Sequence, residues 1–276
     1  MNKVCFLLAV LLSMVLFSCT ERVSYKMQSP DKNVSVSLQH SNDGIKYSVT
    51  FNEDTIIIPS RMGLISSKGD LSKGMITNQI SKTIKETWEP LYGEKSLIEN
   101  HYEDEAFTFE TDLGITIIIR FRIYNDGVAF RYEFPEQSDI KNIIITQDLT
   151  EFGFKKDHPC RIAGSNVENA DYRPLPLSQV DFSKIPVLIN TPDAYVAIAE
   201  AAVFDFSMMY LTNFKHEKSF QTEIGISEIA FPAKTPWRVI MIAKEAGGLI
   251  ESDILIDLHV RNALKNRSWL TPGQSL

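Results

Sequence analysis

Residues 113–135 read LGITIIIRFRIYNDGVAFRYEFP, and this stretch decides the fold class. Ile115, Ile117, Ile119, Phe121 and Ile123 recur at every second position, and Thr116, Arg120, Arg122 and Tyr124 take most of the other side. Successive side chains of a strand point to opposite faces, so this period of two predicts a strand with one apolar face. Asn125-Asp126-Gly127 supplies turn chemistry, with a Gly able to accept positive φ at little steric cost. Val128, Phe130, Tyr132 and Phe134 then alternate with Ala129, Arg131 and Glu133. The pattern is an antiparallel hairpin packed by one face on a core.

The rest of the chain repeats this grammar. Residues 34–40 and 45–52 form a second hairpin across Asn42-Asp43-Gly44. Further strands are expected at 55–58, 79–86, 96–102, 106–111, 140–147, 186–191, 194–203, 219–226 and 235–243, with 204–211 continuing 194–203 after a bend. Residues 148–183 are expected to be irregular, 246–253 to make one or two helical turns, and 255–260 to form a last strand. No stretch reads as a long amphipathic helix, and no repeat has a solenoid or propeller period. About a dozen strands exceed a simple immunoglobulin-type sandwich. An all-β chain forming a large two-sheet sandwich is the expected architecture.

The 276 residues suffice for one large β-domain or two small ones. Hydrophobic residues make up 44% and charged residues 23%, an ordinary globular balance, so a sizeable core is expected. The net charge is −7 and no basic cluster is large enough to follow a phosphate backbone, which argues against nucleic acid as a partner.

Residues 1–19 read as a targeting segment. Asn2-Lys3 gives a positive start, and the apolar run from Val4 to Phe17 is short for a membrane span. Leu16-Phe17-Ser18-Cys19 resembles a bacterial lipoprotein box. On that reading the chain is cut before Cys19, the thiol is lipidated, and the protein is exported to the periplasm or anchored at the outer membrane. A plain signal peptide and a hydrophobic anchor are the other readings. Cys160 is then left without an internal disulfide partner. A nucleophilic Cys160 would need an activating base, and His158, two residues away, is more simply a chance neighbour.

Several motifs occur in one order. They are Ser60-Arg61-Met62-Gly63-Leu64, Glu86-Thr87-Trp88 with Tyr92-Gly93-Glu94, Asn100-His101-Tyr102, the run from Tyr124 to Tyr132, the run from Tyr195 to Ala202, Pro236-Trp237-Arg238-Val239-Ile240, and Leu249-Ile250-Glu251-Ser252. Together they resemble the N-terminal domain of glycoside hydrolase family 97 over residues 28–273. The resemblance implies a galactose-mutarotase-like super β-sandwich of two large antiparallel sheets at residues 20–262. It implies that such a domain precedes a (β/α)8 barrel carrying the catalytic carboxylates of exo-acting α-glucosidases or α-galactosidases. It further implies an active-site calcium ion, to which the sandwich lends one Glu while bracing the barrel. Glu200 is the position that matches this metal ligand. The implied partners are α-linked glucoside or galactoside oligosaccharides and the barrel, with membrane contact through the lipid anchor only.

No catalytic residue is carried over. Glycoside hydrolysis needs two carboxyl groups placed across the scissile bond, and the resemblance puts neither on this chain. Ser268-Trp269-Leu270-Thr271-Pro272-Gly273 resembles the linker into the barrel, so residues 263–276 are expected to be a truncated linker and the chain alone inactive. Calcium binding by this chain alone is expected to be weak or absent.

The residues themselves leave choices open. Both faces of the run from Tyr195 to Val203 are otherwise apolar or small, so a lone Glu200 is costly to bury without a partner. Calcium, which takes about six to eight oxygens, is one partner; water at a strand end is another. Trp88, Tyr92, Trp237 and Trp269 could stack on sugar rings, but read more simply as core or interface aromatics. His101 has no assignable role, and no His–Glu acid–base pair is legible from spacing. The acidic run 99–105 (ENHYEDE) reads as a solvated loop or strand edge before it reads as a cation site. Three function readings follow: a bracing domain of an α-glycosidase, a stand-alone lipid-anchored carbohydrate-binding accessory protein, or a truncated product without function. A surface made to meet a barrel should carry a large exposed apolar patch.

Overall fold

The computed structural model describes residues 23–90, 95–163, 172–259, 266 and 269. The segment 1–19 with Cys19, Tyr92, and residues 263–276 apart from Asn266 and Trp269 lie outside the described residues.

The opening hairpin forms as expected. Strands β9 (Thr116–Tyr124) and β10 (Gly127–Phe134) pair from Tyr124↔Gly127 to Ile118↔Glu133. Ile117, Ile119, Phe121, Val128, Phe130, Tyr132 and Phe134 are all buried. Gly127 has a different reason from the one expected. Its φ is not positive. A Cβ there would stand 2.4 Å from Ile240 O and 3.1 Å from Met241 Cα, so Gly is required by close approach of a neighbouring strand.

That neighbour is β22 (Trp237–Ala243), and the hairpin lies in the middle of a ten-stranded sheet. Beyond β9 come β8 (Ile98–Thr111) and β7 (Gly74–Trp88) at one edge. Beyond β22 come β17 (Tyr195–Ala201), β16 (Val187–Asn190), β13 (Pro159–Ala163) and β14 (Tyr172–Pro176) at the other, with β21 (Ala233–Lys234) pairing the end of β10.

Three four-stranded sheets supply the opposing walls of the core. The first is a meander of β1 (Val23–Gln28), β2 (Val34–Ser41), β3 (Gly44–Phe51) and β4 (Asp54–Met62). The second joins β20 (Ser227–Ala230), β11 (Asn142–Asp148), β5 (Leu64–Ser66) and β6 (Gly69–Asp70). The third joins β12 (Glu151–Gly153), β19 (Ser219–Ile224), β18 (Met209–Thr212) and β15 (Phe182–Lys184). One buried cluster draws on all four sheets, including Val36, Ile145, Phe220 and Phe121. Phe130 lies at its centre, 5.1 Å from the Tyr47 ring and 5.4 Å from Phe121. The chain is an all-β sandwich.

Three expectations are corrected. Residues 148–183 are not simply irregular: they carry β12, β13, β14 and β15, which are short or interrupted by proline and so leave little periodicity. Residues 204–211 do not extend β17. The chain bends out of the large sheet and re-enters as β18, paired with β15 and β19. Residues 255–260 are not a strand. Helices α1 (Ala246–Glu251) and α2 (Ile254–Asp257) cover the outer face of the large sheet, where Ala129, Ala197, Ala199, Val239 and Met241 form a second apolar cluster. Ile254 and Leu258, four residues apart, fall on one helical side and bury themselves there. The outer face of β10 is therefore covered too, which alternation alone did not show.

Replacing Phe130 by Ala should lower the unfolding free energy by about 3–5 kcal/mol, since a fully buried aromatic leaves a cavity that the surrounding sheets fill poorly. Urea denaturation should show a lower midpoint with the same slope. A change below about 1 kcal/mol would place the core elsewhere.

Candidate functional site

Glu200 lies on β17 directly opposite Arg238 on β22, and both point into the sandwich. Arg238 Nη1 donates to Glu200 Oε2 at 2.7 Å. Its Nε donates to Asp148 Oδ2 at 2.9 Å, and Nη2 lies 2.9 Å from the same oxygen. Asp148 ends β11 in the opposing layer. The side chains of Asp148, Arg238 and Glu200 are 1%, 2% and 5% exposed, so one guanidinium bridges two buried carboxylates across the core. The amide of Met209, at the start of β18, donates to both Glu200 oxygens, at 2.9 and 3.1 Å. Burial raises the Glu200 carboxyl above the usual carboxylate range, and Arg238 and the Met209 amide oppose that rise.

The donor set of the described residues does not by itself fit a calcium ion. Among the described residues no three His, Cys, Asp or Glu side chains converge as a metal group would require. Glu200 already accepts three hydrogen bonds, one of them from a cation. Calcium seeks about six to eight oxygens, and a guanidinium at 2.7 Å repels it. Asp148 and Arg238 were not singled out from the sequence. The available signal was a matched pair: one acid in the apolar run of β17 and one base in the apolar run of β22.

The loop between β17 and β18 leaves this triad and reaches the surface. Ala202 and Asp205 hold positive φ, 55° and 50°, a region L-residues seldom adopt. Val203, Phe204 and Met208 are exposed there, as is Ile226 in a turn tied to the loop by Ser207, which accepts from the Gly225 amide and donates its own to Ser227 Oγ. The Tyr210 hydroxyl donates to Met208 Sδ, and exposed Phe182 stacks on Tyr210 at 5.2 Å. Exposed apolar side chains therefore stand on the segment that leaves Glu200 and on the two elements tied to it.

A second polar cluster lies on the outer face of the large sheet. Asp104 pairs with Arg120 and Arg122, and Glu133 with Arg120 and Arg131. The Trp237 ring is buried under the Arg131 and Arg122 guanidiniums, 4.2 and 4.9 Å from its centroid. Trp88 Nε1 donates to Asp257 Oδ1 at 3.2 Å and so ties α2 to the sheet edge. Burial pushes the Asp257 carboxyl up to about 7; nearby Asp253 and Asp126 add to the rise, and Trp88 and Arg122 oppose it. Trp237 is thus a packing group, Trp88 is half-buried, and Trp269 is largely exposed.

The remaining candidates disperse. The acidic run 99–105 is a strand whose carboxylates fall on both faces: Glu103 accepts from Thr83, Glu105 from Gln79 and Ser81, and Asp104 from arginines. Half-buried His101 stands opposite Lys85. Cys160 donates to Leu175 O, and burial pushes its thiol up to about 11, the reverse of an activated nucleophile.

The sequence profile of the family described as Glycosyl-hydrolase 97 N-terminal matches residues 27–260. The chain belongs to that family. It is similar to a probable retaining α-galactosidase of Streptomyces bingchenggensis, 23% identical over 288 residues, covering 98% of this chain and 44% of that protein. It is 21% identical over 316 residues to the retaining α-galactosidase of Bacteroides thetaiotaomicron, covering 99% of this chain and 46% of the relative. A glycoside hydrolase family 97 enzyme from Pseudoalteromonas sp. strain K8 superposes with a TM-score of 0.84 at 29% identity, over 90% of this chain and 40% of that one. That enzyme has been solved in complex with panose and with acarbose. The chain thus spans less than half the length of the relatives it matches, and what it matches is their N-terminal sandwich.

Two predictions follow from the buried charges. Arg238→Met should cost about 3–5 kcal/mol at pH 7, because it strands two buried carboxylates. A carboxyl whose folded pKa stands above its unfolded value adds stability at low pH and loses it as pH rises, so the deficit should shrink towards pH 4; a deficit independent of pH would contradict this. Asp257→Asn keeps an acceptor for Trp88 and removes the charge. Burial raises Asp257 from 3.8 to about 7, so its penalty is absent near pH 4 and complete above 7. The variant should match the parent in urea at pH 4 and exceed it at pH 8.

Proposed function

We propose that this chain is a non-catalytic N-terminal domain of a family 97 α-glycosidase, whose work is to brace a catalytic barrel. One observation carries the reading: exposed Val203, Phe204 and Met208 lie on a loop whose base is anchored by the Asp148–Arg238–Glu200 triad, with exposed Phe182 and Ile226 on the elements tied to it. A soluble surface has no use for such a cluster unless something covers it. Two support lines add to it. One relative is described as a retaining α-galactosidase and another as a probable one, and the matched region is under half of each. The buried carboxylates of Asp104, Glu133, Asp148 and Glu200 are each engaged with arginine, and glycosidase chemistry needs two that face each other across a substrate.

Two finer parts of the reading stay with the complete enzyme. α-Linked galactosides or glucosides would reach a site made chiefly by the barrel. Glu200 would lend an oxygen to calcium only where the barrel brings further carboxylates to the same loop, and a cation there would compete with Arg238 for the carboxylate. Export and a lipid on Cys19 complete the proposal, with the enzyme in the periplasm or anchored at the outer membrane of a bacterium.

The purified chain should release no p-nitrophenol from p-nitrophenyl α-galactoside or α-glucoside above the buffer rate. Calorimetric titration with calcium should show no tight binding, and EDTA should leave the melting temperature unchanged. Turnover that co-purifies with the chain, or a melting temperature raised by calcium, would overturn the non-catalytic reading or the shared-site reading respectively.

A further inference from the structure

The two edges of the ten-stranded sheet are treated differently. β14, at one edge, carries Pro174 and Pro176, which lack an N–H and so discourage another strand from pairing. β7, at the other edge, is fifteen residues long and has no proline. Its register against β8 shifts between Ile76 and Asn78, then runs unbroken from Asn78 to Trp88. The alternate N–H and C=O groups of that run that do not meet β8 face outward in a straight row. Most of its side chains are exposed, Ile80 among them at 49%. Lys82 and Lys85 are the charged guards such an edge commonly carries against pairing.

The order of side chains on one face shows what those charges allow. Ile80, Lys82, Ile84, Glu86 and Trp88 share that face, since side chains alternate along a strand. Glu86 accepts from Asn100 Nδ2 on β8, and Lys82 stands opposite Asp104. When two such strands meet antiparallel about a two-fold axis through Ile84, Ile84 faces its copy. Each Lys82 then faces the other copy's Glu86, and each Ile80 faces the other's Trp88. On the opposite face Ser81 meets Thr87, and Thr83 meets Lys85. No like charges meet. Two-fold registers centred on Lys82, Lys85 or Glu86 put a charge against itself, and those centred on Ser81 or Thr83 put Ile80 against a charge. Among the two-fold registers centred from Ser81 to Glu86, the one on Ile84 alone sets no charge against itself or against Ile80, and cross-strand pairs of opposite charge and of apolar residues stabilise such a ladder.

We propose that β7 is a self-association edge, and that two copies of this chain join their large sheets through antiparallel β7–β7 pairing centred on Ile84. The inference goes beyond the bracing role and does not depend on it.

Sedimentation velocity of the purified chain over a concentration series tests it, with far-UV circular dichroism confirming the fold of each variant. The chain should sediment as a concentration-dependent dimer. Lys82→Glu should give monomer, because it sets Glu against Glu86 twice. Lys82→Glu with Glu86→Lys should restore the dimer, because the pair is exchanged rather than lost. A monomeric parent chain at all concentrations would overturn the proposal and leave the edge to some other cover. So would a dimer indifferent to Lys82→Glu, which would use another surface, or a folded double variant that stays monomeric.

Discussion

One buried guanidinium holds the two layers of this molecule in place. Arg238 rises from the large sheet, takes Asp148 from the layer opposite, and takes Glu200 from the strand beside it. Each carboxylate would be costly to bury alone, and the cation would be costlier still. The three are tolerable only together, so the triad fixes where β11 meets β17 and β22. The apolar cluster to which Phe121, Phe130 and Tyr47 belong supplies the bulk of the burial, but such contacts accept small slides, and directional charge-assisted bonds do not. The Met209 amide then ties the start of β18 to the same carboxylate. The loop between has little freedom, and it passes through two residues at positive φ.

That constraint bears on the bracing role proposed above. A domain with that role must present its contact surface at a defined height and angle. Here the exposed apolar side chains of the 202–208 loop stand on a base clamped at both ends by one carboxylate. The same geometry explains why Glu200, the residue with the best claim to a metal, is occupied by protein donors within this chain. Its charge is neutralised at home, and any cation brought by a partner must contend with Arg238.

Much of the fold was legible in sequence because alternation survives wherever a strand is long and one face is buried. The 113–135 hairpin and the 34–52 hairpin show it most plainly. What was not legible follows from three physical facts. Strands of three to five residues between prolines, as at 151–184, are too short for a period to appear. A chain that leaves one sheet for another, as at 204–211, keeps a β-like composition through the change. Residues 254–258 carry their apolar spacing for helix over so few positions that strand and helix look alike, and what decides is an outer sheet face of small residues that requires a cover. Of the site, Glu200 was visible as a lone acid in an apolar run. Its true neighbours were not, because Arg238 and Asp148 are 38 and 52 residues away in sequence, and only strand register brings them together. Gly127 has the same lesson: the turn chemistry suggested one reason for it, and the backbone of β22 supplied another.

Amide hydrogen exchange of Arg238→Met against the parent chain tests the clamp most directly. If the triad fixes the layers, protection should fall furthest at the end of β11, in β17 and at Met209 to Thr212, beyond the loss in the β8–β9 ladder that the lower global stability brings. Unchanged exchange in those three segments, or a loss there no larger than in the β8–β9 ladder, would contradict a local clamp and return the fold to its apolar core alone.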